Sequence, residues 1–89
     1  MLRITSKNVG QETVLHLEGK ICRQWVGELC SHIHTALAEG GRIILDLDKV
    51  SYIDDEAVIM LSKFSPEQMD KRNGSLYIRT LLGLDEGRL

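Results

Sequence analysis

A short apolar run near the middle of the chain constrains the fold most. Residues 43–47 read Ile-Ile-Leu-Asp-Leu and follow the glycine pair Gly40 and Gly41. Because both faces of this run are apolar, the pattern predicts a strand buried in the middle of a sheet, and a parallel one. A parallel strand needs crossover connections, which are usually helical. We therefore look for helices on both sides of the run.

The segments around the run show the expected change of period. Residues 2–8 and 12–18 alternate in hydropathy on either side of a tight turn, which predicts a hairpin. Residues 23–39 carry apolar side chains at helical spacing, and so do residues 55–64. Two helices are therefore predicted, one before and one after the central strand.

The last third of the chain completes the predicted order. Residues 65–68, Ser-Pro-Glu-Gln, are typical of a fresh helix start, and residues 76–78 predict a final strand after an Asn-Gly turn. Residues 81–89 are either one more helical turn or a frayed end. The order β-β-α-β-α-β indicates an α/β (α+β) fold, a small mixed sheet with helices packed on one face.

Composition limits the class of function. The chain has 89 residues and a net charge of −2, from 11 Lys and Arg against 13 Asp and Glu. This balance argues against nucleic acid and against a polybasic membrane anchor. No apolar stretch approaches the ~20 residues of a membrane helix, and the first residues lack a signal-peptide pattern. Cys22 and Cys30 are about 12 Å apart along one predicted helix, too far for a disulfide. We expect one cytoplasmic domain over residues 1–89, with free thiols and no cofactor.

The segment between the central strand and the second helix carries a signature. Residues 44–58 read ILDLDKVSYIDDEAV, and residues 14–21 read VLHLEGKI. The first segment resembles the signature of the STAS domain, named for sulphate transporters and anti-sigma-factor antagonists. In that signature a strand ends in Asp-Leu, and Asp-Ser-Ser-Gly opens a helix. The second segment resembles the family's second strand and its Gly-x-Leu turn. The resemblance covers roughly residues 1–80.

The resemblance implies a non-catalytic interaction module. In many members of the family, a kinase that is also an anti-sigma factor phosphorylates the serine after the Asp. Here Asp55 and Glu56 occupy the two serine positions and Ala57 the glycine position, so the usual phosphoacceptor is absent. Cys22 stands where the family often has an acidic residue, and residues 79–85 resemble a strand end joined to a shortened last helix. The resemblance thus carries over the fold and not the phospho-switch.

Three carboxylates open the second predicted helix. A helix N-terminus presents unpaired N–H groups and a positive dipole end, which favour anions. On one interpretation Asp54 is the N-cap and Asp55 and Glu56 are favourable first-turn residues. On the other, Asp55 and Glu56 form a fixed acidic patch with about the charge of a phosphoserine. That patch would hold the domain in one state resembling the modified form, which in the family no longer holds its partner. The domain would then bind a different partner, or bind constitutively, and would not cycle. Ser51 and Ser62 are alternative sites of modification, although inert surface hydroxyls explain them more simply.

Other side chains near the signature complete a predicted partner-binding surface, formed with the three carboxylates and Ala57. The added residues are Lys20, Cys22, Trp25 and Tyr52. Trp25 lies next to the apolar stripe of the first helix, where it either packs or anchors an interface. Cys22 is either a small buried side chain or a reactive thiol that would need an electropositive neighbour.

Two kinds of chemistry are weaker interpretations. Cys30 and His34 lie one helical turn apart, but His32 points away and His16 is on another element, so no closed metal site is predicted. Asp46 could join the carboxylates above in acid–base chemistry, but no nucleophile or oxyanion donor accompanies them. We therefore expect no metal site and no catalytic activity.

The function predicted from the sequence is a regulatory interaction domain similar to anti-sigma-factor antagonists, which acts on transcription through a protein partner. That partner would be an anti-sigma factor kinase. One alternative is a regulatory subunit of a bacterial ABC-type lipid transporter, bound to the transporter's ATPase subunit. The other is a small acid–base enzyme. A homodimer is also expected, since a shortened C-terminal region would leave apolar sheet surface uncovered.

Overall fold

The structure is a computed structural model and describes residues 1–83. Its elements are β1 (Leu2–Val9), β2 (Glu12–Ile21), α1 (Gln24–Ala38), β3 (Arg42–Ile53), α2 (Asp55–Ser62), β4 (Met69–Arg72) and α3 (Leu76–Leu81). The strands form one sheet in the order β1-β2-β3-β4. β1 and β2 pair antiparallel, whereas β2 with β3 and β3 with β4 pair parallel. The mixed α+β sheet predicted from the sequence is confirmed.

One face of the sheet carries the hydrophobic core. Because side chains alternate along a strand, Leu15 and Leu17 of β2 point to the same face as Ile43, Leu45 and Leu47 of β3. All five side chains are at most 2% exposed. The helices cover this face with the following buried residues: Val26, Leu29, Ile33 and Ala36 of α1, Ala57, Met60 and Leu61 of α2, and Ile78 of α3. The helical stripes predicted for α1 and α2 are the surfaces that pack.

The central strand is longer than predicted. β3 continues to Ile53, and β2 continues to Ile21, so the two strands end side by side. The sequence did not predict this extension because polar residues follow Leu47 and end the apolar run, whereas the backbone pairing of β2 with β3 continues. The extension matters because it places the signature residues at the carboxyl end of a paired strand.

The predictions for the C-terminal third were wrong in two elements. Residues 65–68 form a single turn and no helix, because the N–H groups of Gln68 and Met69 both donate to the Ser65 carbonyl and the chain then enters β4. Met69 is 2% exposed and pairs with Ile43 in the sheet, so burying Met69 as an edge-strand residue outweighs continuing a helix.

The predicted last strand at residues 76–78 is helix α3. Asn73 and Gly74 both have positive φ values, 65° and 88°, which turn the chain sharply after β4. The Ser75 hydroxyl then accepts a hydrogen bond from Ile78 N at 3.2 Å and caps the helix. Ile78 is the one buried residue of this helix, so the sequence shows no apolar stripe at helical spacing that would predict it. Two predictions for the C-terminus extend beyond residue 83, outside the described part of the chain. They are the shortened last helix at residues 79–85 and the two alternatives for residues 81–89.

Two further expectations concern the thiols and membrane-spanning helices. Cys22 and Cys30 are both free thiols, as predicted, and both are half-buried. The prediction that they share one helix was wrong, because α1 begins at Gln24, after Cys22. Among the helices of residues 1–83, none is long and apolar enough to cross a membrane.

Candidate interaction site at the start of helix α2

The candidate site lies where β2 and β3 end. Ile21 and Ile53 are register partners at these ends, and both are buried in the core. The Asp54 N–H donates to the Ile21 carbonyl oxygen at 3.1 Å, which ties the two chain segments together as they leave the sheet. The start of α1 and the start of α2 are therefore neighbours at this end of the sheet.

Asp54 links the two helix starts through one carboxylate. Its Oδ1 accepts from Ala57 N at 2.8 Å, which is the N-cap bond of α2. Its Oδ2 accepts from Arg23 N at 3.1 Å. Arg23 is the residue before α1, and its φ of 54° is unusual for a residue with a side chain of this size. The capping interpretation of Asp54 therefore describes its geometry, and the same side chain also positions the loop that precedes α1.

Asp55 and Glu56 lie in the first turn of α2 and are exposed. Neither side chain has a hydrogen bond or ion pair with any residue of the described chain. Their charges interact favourably with the helix dipole and face solvent. Ala57, the third residue of the predicted site on this turn, is fully buried, so its side chain contributes packing and not contact area.

The structure also places a large apolar side chain on the outer face of α2. Ile59 is 57% exposed and lies one turn after Asp55, with Ser62 at the next helical position. We use the name "α2 outer face" for Asp55, Glu56, Ile59 and Ser62. Ile59 was missed in the sequence, although an isoleucine outside the stripe of Ala57, Met60 and Leu61 is a signal that could have found it.

The remaining predicted residues surround the α2 outer face at different depths. Tyr52 is 41% exposed and is the register partner of Lys20 across the ends of β3 and β2. Cys22 is half-buried, and Trp25 is half-buried against the core, so packing explains much of its surface. The structure therefore brings these residues to one end of the sheet, with Tyr52 and Lys20 the more accessible of them.

The hydroxyl and metal candidates have other neighbours. Ser51 donates to the Gly19 carbonyl at 3.3 Å, and Ser62 donates to the Ile59 carbonyl at 2.7 Å. His34 packs edge-on against Phe64, with ring centroids 5.7 Å apart. Within residues 1–83, no group of three or more His, Cys, Asp or Glu side chains is arranged to hold a metal ion.

The carboxylates considered for acid–base chemistry are not together. Asp46 lies on β3 and bonds to His16, whereas Asp54 is engaged as a cap and Asp55 faces solvent. Asp46 Oδ1 also accepts from Asn73 Nδ2 at 2.8 Å and from Asp48 N at 3.1 Å. The Asn73 amide, with smaller contributions from the Asp48 N–H and His16, lowers the pKa of Asp46 against the opposing effect of burial.

Comparison with known proteins gives the family and the fold. The sequence profile described as the STAS domain matches residues 3–82. The anti-sigma factor antagonist SpoIIAA in its unphosphorylated form superposes with a TM-score of 0.75 at 20% identity, over 93% of this chain and 80% of that one. An anti-sigma factor antagonist from Mycobacterium paratuberculosis gives 0.75 at 18% identity, over 97% and 81% of the two chains.

A third solved structure, described as Mglu, gives a TM-score of 0.68 at 20% identity, over 81% of this chain and 20% of that one. No curated protein sequence gives a significant match. The identities are low, so the superpositions speak for the fold, whereas the profile covers nearly the whole sequence. This chain is a member of the STAS domain family.

Proposed function

We propose that this STAS domain is a non-catalytic regulatory module that binds a protein partner through the α2 outer face and the adjoining Tyr52 and Lys20. The observation that carries the proposal is the exposed Ile59 beside Asp55 and Glu56, whose carboxylates have no partner among residues 1–83. An exposed aliphatic side chain flanked by charge suits a small interface with an apolar centre and a polar rim. Family membership supports a role in protein interaction.

The partner class is an anti-sigma factor, as the names of two structural relatives suggest. In this reading the domain acts in the cytoplasm, sequesters the anti-sigma factor and so releases a sigma factor for transcription. Rigidity supports the proposal, because Asp54 fixes the start of α2 against the loop before α1. A surface held in this way binds with little loss of conformational entropy.

Regulation at this surface does not use a phosphoserine at position 55. Asp55 has no hydroxyl, and Asp55 with Glu56 supplies a permanent charge of −2, close to the −1.5 to −2 of a phosphoserine. Two planar carboxylates do not reproduce three tetrahedral phosphate oxygens, so the match is one of charge and not of shape. We therefore propose a single binding state that does not cycle.

A capture experiment tests the proposal. The wild-type chain, Ile59→Asp and the matched control His32→Asp are used as baits in lysate of the source cells, since His32 is an exposed residue of α1. We expect an anti-sigma factor kinase to bind the wild-type and control baits and not Ile59→Asp. Equal capture by all three baits would contradict the proposed surface. Recovery of a transporter ATPase instead would replace the antagonist function with the transporter alternative.

Incubation with that kinase and ATP tests the absence of the switch. The wild-type chain should take up no stoichiometric phosphate, whereas Asp55→Ser restores the hydroxyl and is expected to be phosphorylated. Stoichiometric phosphate on wild type at Ser51 or Ser62 would refute the single-state proposal while leaving the interaction surface intact. Capture of the kinase by Asp55→Ser alone would contradict the proposed binding state, because the acidic pair would then mimic the phosphorylated form, which in the family no longer holds its partner.

A further inference from the structure

β3 contains a β-bulge, and the side chains at the bulge point to the face of the sheet that α1, α2 and α3 do not cover. His16 pairs with Asp46, but the next pair is Glu18 with Lys49, so β2 advances two residues while β3 advances three. As a result Asp48 and Lys49, adjacent in sequence, both border one cavity on this face. A regular strand would send them to opposite faces. Bulges often redirect side chains in this way beside binding sites.

The cavity has a volume of about 230 Å³ and is bordered by β1, β2 and β3. It is smaller than the roughly 300–1,000 Å³ of pockets for drug-sized ligands. It therefore suits a compact ligand of a few heavy atoms. It lies on the opposite face of the sheet from the helices, so it is separate from the α2 outer face.

The imidazole ring of His16 borders the cavity and is held in one orientation by hydrogen bonding. His16 Nδ1 lies 2.8 Å from Asp46 Oδ2, and the Asn73 amide and the Asp48 N–H hold the other carboxylate oxygen. Since an ionised carboxylate only accepts hydrogen bonds, Nδ1 carries the proton and donates. Nε2, on the far side of the ring, has no partner among residues 1–83. This nitrogen is free to accept a hydrogen bond, or to donate one when the ring is protonated.

Charged side chains of both signs surround the same cavity. Arg3 and Lys49 are positive, and Glu18 and Asp48 are negative. Arg3 and Glu18 are register partners on β1 and β2, yet none of the four side chains forms an ion pair in the described part of the chain. Two unpaired charges of each sign around one small cavity complement a ligand that carries both charges.

We propose that this cavity binds the head group of a small zwitterion, of the class of free α-amino acids. The ligand carboxylate pairs with Arg3 and Lys49. The ligand ammonium donates to Glu18, to Asp48 and to His16 Nε2. Charge-assisted hydrogen bonds of this kind are about twice as strong as neutral ones. Recognition is of the head group, so it extends across amino acids with different side chains.

Amide chemical shifts of the full chain test this proposal. Glycine, L-serine, L-glutamate and L-arginine are titrated separately to about 10 mM, with propionate and propylamine as analogues that lack one of the two charges. We expect saturable shifts at Thr5, Leu17 and Asp48 with the amino acids, and affinities at least about tenfold lower for both analogues. No saturable shift with any of the four amino acids would overturn the proposal. Equal binding of either analogue would overturn it too.

Matched variants locate the site. His16→Gln removes the oriented imidazole, and Lys49→Gln removes one exposed cation without touching the Asp46 network. Each should weaken binding about tenfold, whereas the control His32→Gln on α1 should bind as wild type does. Wild-type affinity in Lys49→Gln would place the ligand elsewhere and refute the assignment. That variant keeps the test valid even if His16→Gln perturbs the fold.

Discussion

Replacing Asp54 with alanine should destabilise the protein more than the same replacement of Asp55 or Glu56, the other two carboxylates at the start of α2. The substitution removes the acceptor for Ala57 N and the acceptor for Arg23 N together. Loss of an N-cap to alanine costs about 1 kcal/mol. Loss of the second bond costs about 0.5–1 kcal/mol, the lower part of the usual range, because water reaches the exposed Arg23 N–H. The free energy of unfolding should therefore fall by about 2 kcal/mol.

Thermal and urea unfolding followed by circular dichroism measure this loss. For a domain of this size a change of 1 kcal/mol shifts Tm by roughly 4–8 °C, so Asp54→Ala should lower Tm by about 8–16 °C. Two controls separate capping from charge. Asp54→Asn keeps a good cap and should lose much less stability. Asp55→Ala removes a neighbouring charge that makes no hydrogen bond within the described part of the chain, and should change stability by about 0.5 kcal/mol or less. Equal losses for Asp54→Ala and Asp55→Ala would refute the proposed double link.

Two further predictions concern stability away from this helix start. Asp46 has a lowered pKa in the folded chain, held down first by the Asn73 amide, so the stabilisation it gives is complete above its ordinary pKa of 3.8. That stabilisation is lost as the pH falls through the lower pKa that Asp46 has in the folded chain. Urea titrations below the ordinary pKa of Asp46 should therefore show a shrinking difference in the free energy of unfolding between wild type and Asp46→Asn. A difference that stays constant with pH would contradict the pKa assignment. Gly41→Ala should unfold at lower urea, because the new Cβ would overlap the Gln11 carbonyl oxygen, whereas Gly27→Ala on the open side of α1 should gain about 0.5–1 kcal/mol. A gain at both glycines would show that the turn before β3 relaxes freely.

The sequence predicts the central part of this fold well because strong periodicity and burial coincide there. The apolar stripe of α1 and the run at residues 43–47 are the surfaces that pack in the core. β4 and α3 escaped prediction for the opposite reason. Each element buries only one residue, Met69 and Ile78 respectively, so turn geometry decides their conformation and hydropathy does not.

The candidate sites divide in a similar way. Asp54 could be predicted as a cap from its position before a helical pattern, but its second bond to Arg23 N depends on β2 and β3 ending together. Ile59 required knowing which face of α2 packs against the core. The cavity beside His16 depends on a one-residue bulge between distant segments, which no local pattern in the sequence encodes.

A photo-crosslinking residue at position 59 tests the central claim most directly, since it reports contact at the α2 outer face itself. The matched control carries the same residue at position 32, an exposed position of α1. After irradiation in source-cell lysate, we predict a crosslinked partner at position 59 and none at position 32, with the partner identified as an anti-sigma factor by mass spectrometry. A partner crosslinked at position 32 and not at position 59 would contradict the account.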